Sequence, residues 1–91
     1  MKSDVDRLIG KHAQLTHSDE MKVVSHVQRQ RADWYLNTLM IEGVEVPFKY
    51  KRKQPYKSLV GQRVNLTYYR EMEKVAGFEL EVMTVVRIKR S

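Results

Sequence analysis

Hydrophobic and polar residues alternate with a period of two over most of this chain, the pattern of strands buried on one face. The clearest run is Val44 to Lys53, where Val44, Val46, Phe48 and Tyr50 fall on one side and Glu45, Pro47, Lys49, Lys51 and Lys53 on the other. Pro47 has no amide proton to give a ladder, so it predicts an edge or a bulge there. The run Phe78 to Lys89 places Phe78, Leu80, Val82, Thr84, Val86 and Ile88 on one side. Met83 and Val85 on the other side predict a middle covered on both faces. Asp33 to Ile41, DWYLNTLMI, is apolar on both sides, and Glu42-Gly43 joins it to the next strand as a tight-turn signal.

Met21 to Arg31 fits two periods. Met21, Val24 and Val27 have helical spacing behind a Ser18-Asp19-Glu20 start, whereas Met21, Val23, Ser25 and Val27 alternate. An internal repeat favours the strand. LIGKHAQLTH, Leu8 to His17, matches LVGQRVNLTY, Leu59 to Tyr68, with Leu8, Gly10, Leu15 and Thr16 recurring as Leu59, Gly61, Leu66 and Thr67. Each copy reads as a glycine at a bend or positive φ, followed by a strand. In the second copy Val64, Leu66 and Tyr68 face one way and Arg63, Asn65, Thr67 and Tyr69 the other. Each copy is expected to open a hairpin, with polar tips at Ser18-Asp19-Glu20 and Glu71-Met72-Glu73. The counterpart of Met21–Arg31 lies around Lys74 to Val82, contains Gly77 and reads as β, so 21–31 is assigned to strand. Ahead of the first copy, Ser3 as N-cap of Asp4-Val5-Asp6 predicts a short N-terminal helix. Five or six short strands with local connections make an all-β chain, a small SH3-like or OB-like barrel in one domain spanning residues 1–91.

Composition bounds this picture. A chain of 91 residues buries only about 60 to 65% of its unfolded surface, enough for one modest core. Hydrophobic residues make up 42%, which argues against disorder despite 31% charged residues. Without cysteine there is neither a disulfide framework nor a thiolate metal site. No apolar run approaches the roughly 18 residues of a membrane span and the N-terminus is charged, so the expected location is cytoplasmic, with no membrane partner.

Charge does more than composition to narrow function. The net charge is +6, and no acid occurs between Glu45 and Glu71, where Lys49, Lys51, Arg52, Lys53, Lys57, Arg63 and Arg70 stand. A second acid-free stretch after Glu81 carries Arg87, Lys89 and Arg90. Such clustering points to a polyanion, and strand geometry sets Lys49, Lys51 and Lys53 about 6 to 7 Å apart, a spacing that suits successive phosphates. The expected nucleic-acid-binding residues are Lys49, Lys51, Arg52, Lys53, Lys57 and Arg63, with Tyr56, Tyr69 or Trp34 stacking on bases of RNA or single-stranded DNA. Four or five phosphates would give a salt slope of about −3 to −4. The competing explanation is that edge-strand lysines deter aggregation.

The N-terminal half resembles the opening of Sm-like RNA-binding barrels in Leu8-Ile9-Gly10-Lys11 after a short helix and in Asp33-Trp34-Tyr35-Leu36-Asn37. The arginine-glycine pair of that family's second motif is not present, and the LVGQRVNLTY copy has no place in its scheme. The resemblance implies a small RNA-binding barrel.

Other chemistry finds little footing. His12 and His17 are an odd number apart and would point to opposite faces of a strand, so no metal site with His26 is expected. There is no cysteine nucleophile, serine elbow or glycine-rich phosphate loop, and Glu79 and Glu81 share a face without a pocket to separate their acidities. The chain is therefore expected to be no enzyme, with no cofactor and no small-molecule substrate. The alternative function is protein interaction or homodimerisation through the surplus apolar face of Trp34, Tyr35, Leu39 and Ile41.

Overall fold

The computed structural model describes residues 15–55 and 57–91. The expected N-terminal helix, Gly10, His12, most of the first repeat copy and Tyr56 lie outside the described residues. The described chain is all-β: β1 (Thr16–Arg31), β2 (Trp34–Ile41), β3 (Phe48–Arg52), β4 (Arg63–Val75) and β5 (Phe78–Arg90). No helix among these residues is long and apolar enough to cross a membrane.

The strands close into a barrel in the order β1-β2-β3-β5-β4. All neighbours are antiparallel except β3 and β5, which run parallel through Phe48↔Met83 and Lys49↔Thr84. Placing β5 between β3 and β4 makes this a Greek-key barrel, the OB-like alternative rather than a simple meander. Inside lie Val23, Leu39, Ile41, Phe48, Tyr50, Leu59, Val64, Leu66, Val85 and Ile88. The Phe48 and Tyr68 rings meet edge to face at 4.9 Å.

Met21 to Arg31 is strand, the assignment the internal repeat favoured over a helix, and it continues the strand that begins at Thr16. The polar triplets at 18–20 and 71–73 are not hairpin tips. Both lie within long strands, because polar side chains do not end a strand whose backbone stays paired on either side of them. Chain reversal occurs instead where φ is positive: Ala76 (51°) and Gly77 (87°) between β4 and β5, and Ala32 (55°) between β1 and β2. Positive φ at both central residues of the β4–β5 turn is the type I′ condition that matches strand twist. Glu20 also has positive φ, 56°. There it makes a bulge in the β1–β4 register between Ser18 and Met21.

Two further bulges decide which side chains face inward. Val24 is extruded where β1 leaves β4 and takes up β2. The connection before β4 docks at that point, with Val23 N–H donating to the Gln62 carbonyl at 2.9 Å and Gly61 N–H to the Val23 carbonyl at 2.8 Å. Gly61 has φ 85°, as expected of a glycine ahead of this strand. In β5 the register skips Val86 between Tyr68↔Val85 and Thr67↔Arg87, so Val85 and Ile88 share the inner face while Val82 is buried on the outer one. This corrects the single row expected from Phe78 to Ile88. β3 is also shorter than the alternation from Val44 to Lys53 implied. It begins directly after Pro47, whose carbonyl accepts from Met83 N–H at 2.9 Å.

Candidate nucleic-acid interface

The outward faces of the strands form a groove of about 860 Å³. One row of cross-strand neighbours crosses all five strands: Val27↔Thr38↔Lys49↔Thr84↔Tyr69. A second row, Arg29↔Leu36↔Lys51, lies beside it, and Arg31 opposite Trp34 follows. The β1–β3 wall thus gathers Arg29, Arg31, Lys49 and Lys51, whereas β4 brings Glu71 and Glu73 and β5 brings Val82 and Thr84.

The two walls are electrostatically opposite. Lys49 Nζ bridges them by donating to Glu73 Oε1 at 3.0 Å, with both side chains about two-fifths exposed, so this pair adds little stability. Thr84 Oγ1 donates to Glu71 Oε1 at 2.5 Å. Tyr69 also neighbours Glu71. Its phenol is held above the usual tyrosine range by desolvation first and then by the Glu71 charge, with a hydrogen bond to Glu71 adding to the shift and one to Thr84 opposing it. Arg29, Arg31 and Lys51 have no carboxylate partner among the described residues, so their charge is available to a ligand.

Behind the groove, the inner face of β2 carries Asn37, only 1% exposed. Its side-chain carbonyl accepts from His26 Nε2 at 2.7 Å, and Nδ1 of the same ring accepts from Leu59 N–H at 3.0 Å. These partners assign the ring proton to Nε2. The pair ties the connection before β4 to the β1–β2 hairpin and satisfies polar groups that burial would otherwise leave costly.

The expected binding residues are divided by the fold. Lys49 and Lys51 lie in the groove, and Tyr69 ends its central row. Arg52 lies over the Tyr50 ring and Lys53 Nζ over the Trp34 ring, each at 5.2 Å, placing them at the end of β3. Lys57 is exposed on the following connection. Arg63 is on a different surface, opposite Lys22, where its guanidinium donates to the Glu20 carbonyl at 3.1 Å. A smaller recess of about 280 Å³ lies nearby, lined by His17, Asn65, Thr67, Arg87 and Lys89. His17 is held between Thr67 Oγ1 at 2.8 Å and Asp19 Oδ1 at 2.7 Å. Among the described residues no group of three His, Asp or Glu gathers to hold a metal ion.

The interaction face expected from β2 is corrected in part. Leu39 and Ile41 are in the core, 0% and 2% exposed, and offer no surface. Tyr35 is half-buried on the same inward side, while Trp34 is exposed at the groove's end and Leu36 lines it. Sequence reasoning missed Arg29 and Arg31. Their two-residue spacing matches that of Lys49 and Lys51, but only strand pairing brings β1 beside the β2–β3 surface. No protein-family model, curated protein or solved structure matches the chain, so function has to be inferred from the groove itself.

Proposed function

We propose that this chain is a noncatalytic module that binds single-stranded nucleic acid along the outer groove. What carries the proposal is the convergence of Arg29, Arg31, Lys49 and Lys51, from two strands that are not neighbours, on one concave surface. Five-stranded barrels of this topology use the β2–β3 face for oligonucleotides, an analogy that supports the proposal without deciding it. Protection of a sheet edge does not account for Lys49, since β3 is paired on both sides at that residue. The carboxylates of Glu71 and Glu73 disfavour a duplex, whose second row of phosphates would face them, and a single strand can avoid them. Phosphates held by arginine and lysine give affinity that falls steeply with salt and tolerates any sequence.

The test is a titration of a labelled mixed-sequence oligonucleotide, followed by fluorescence anisotropy and repeated at rising salt. Binding at about 50 mM salt that weakens with a linear log–log slope is expected. Absence of salt-dependent binding there overturns the proposal.

A further inference from the structure

The outer face of the β4–β5 hairpin changes chemistry along its length. Its cross-strand pairs run from Tyr69↔Thr84 through Glu71↔Val82 and Glu73↔Leu80 to Val75↔Phe78 at the turn, with no register break. Side chains two apart on a strand share a face, so Leu80, Val75 and Phe78 continue the surface on which Glu71, Glu73 and Val82 line the groove. These three apolar residues are 50%, 44% and 71% exposed, and Phe78 has the greatest exposure of the large hydrophobic side chains. The opposite hairpin face is mainly charged, with Arg70 paired to Glu81 and Lys74 opposite Glu79, and its exposed large hydrophobic is a single Met72, 52% exposed. The contiguous apolar strip of Val75, Phe78 and Leu80 therefore lies on the groove side, while Met72 stands alone among charges on the other.

The geometry points to Phe78 and its neighbours Val75 and Leu80 as the surface on which unpaired bases stack, while the phosphates of the same strand lie on Arg29, Arg31, Lys49 and Lys51. This inference rests on the groove being the nucleic-acid site. Its physical basis is the asymmetry of the walls. Cations on β1 and β3 attract the backbone, and carboxylates on β4 repel it. The uncharged base side of the strand must then face β4 and β5, where an exposed aromatic ring and two aliphatic side chains await it. Every base has a π face, so such stacking tolerates sequence.

The experiment compares an ordinary oligonucleotide with an abasic one of equal length, which keeps the phosphates and lacks the bases. The wild-type protein should bind the ordinary strand more tightly. Phe78→Ala should weaken that binding about fivefold or more and leave the abasic strand unaffected, and Phe78→Trp should retain affinity. Equal binding of both strands by the wild type, or no effect of Phe78→Ala on the ordinary strand, overturns the stacking surface while the groove proposal stands. No binding of either strand overturns the groove proposal and this inference with it. Sedimentation supplies a third outcome: a wild-type dimer that Phe78→Ala converts to monomer with unchanged oligonucleotide affinity assigns the strip to a second copy of the chain and overturns the inference.

Discussion

Replacing Lys51 and Arg63 separately by alanine distinguishes a structured groove from a diffuse basic surface, because each substitution removes one positive charge. Lys51 lies in the groove, and Arg63 lies on the far β1–β4 surface. Each single-strand phosphate neutralised contributes about 0.7 to the magnitude of the log–log salt slope. Arg29, Arg31 and Lys51 are free of carboxylates among the described residues and Lys49 is shared with Glu73, so three to four phosphates are expected, a slope of about −2 to −3. That is shallower than the seven-cation stretch of sequence implies. Raising salt from about 50 to 200 mM should then cost the wild type about 20- to 50-fold in affinity, and Lys51→Ala only about 7- to 20-fold. Arg63→Ala should behave as the wild type. Both side chains are exposed, so stability should change by less than about 0.5 kcal/mol, which a urea melt verifies. Equal flattening of the slope by Arg63→Ala would refute the groove and leave only a general attraction of a basic protein for polyanions.

Other consequences of the structure are open to measurement. Ala76→Asn places Asn-Gly in the type I′ turn, where alanine at φ 51° is strained; a gain of about 1 kcal/mol is expected, read as a Tm higher by roughly 4 to 8 °C. Leu39→Ala removes a core side chain with no exposed surface and should cost about 2 to 5 kcal/mol in a denaturant titration, whereas a loss near zero would place Leu39 outside the core. Asn37→Ala removes the acceptor of the His26 Nε2 hydrogen bond and should cost about 1 to 3 kcal/mol, with faster hydrogen exchange at the Leu59 amide if the network anchors that connection. Tyr69 ionises above the ordinary value of 10.0 in the folded state, so its contribution to stability is complete below that pH and is lost as pH rises through the higher folded value. Ultraviolet difference titration of wild type and Tyr69→Phe should show the loss of a late-ionising tyrosine, and Glu71→Gln should bring that ionisation down.

Strand content was legible from the chain because alternation is a local property. Phe48 to Arg52 and Arg63 to Tyr69 each carry their own period, although the alternation runs on ahead of β3 through Val44 to Pro47, which are not strand, and Met21 to Arg31 needed the repeat to decide between two periods. The inward assignment of Phe48 and Tyr50, and with it the outward one of Lys49 and Lys51, needed nothing beyond that period. Gly61 announced its positive φ by residue type alone. Turns were less legible: Ala32 and Ala76 occupy left-handed positions that alanine does not advertise, while the polar triplets at 18–20 and 71–73 look like tips and are strand.

Tertiary structure decided what pairing and register control. Each bulge, at Glu20, Val24 and Val86, adds a residue to one strand and exchanges inside for outside beyond it, which is why Val85 and Ile88 both face inward although their separation is odd. The same nonlocality made the candidate site. Arg63 is near Lys57 in sequence yet belongs to another surface, and Arg29 and Arg31 lie some twenty residues before Lys51 yet share its groove because β2 pairs with both β1 and β3. Period-two alternation determines which residues can face out together on one strand; only the closing of the barrel determines which strands lie side by side.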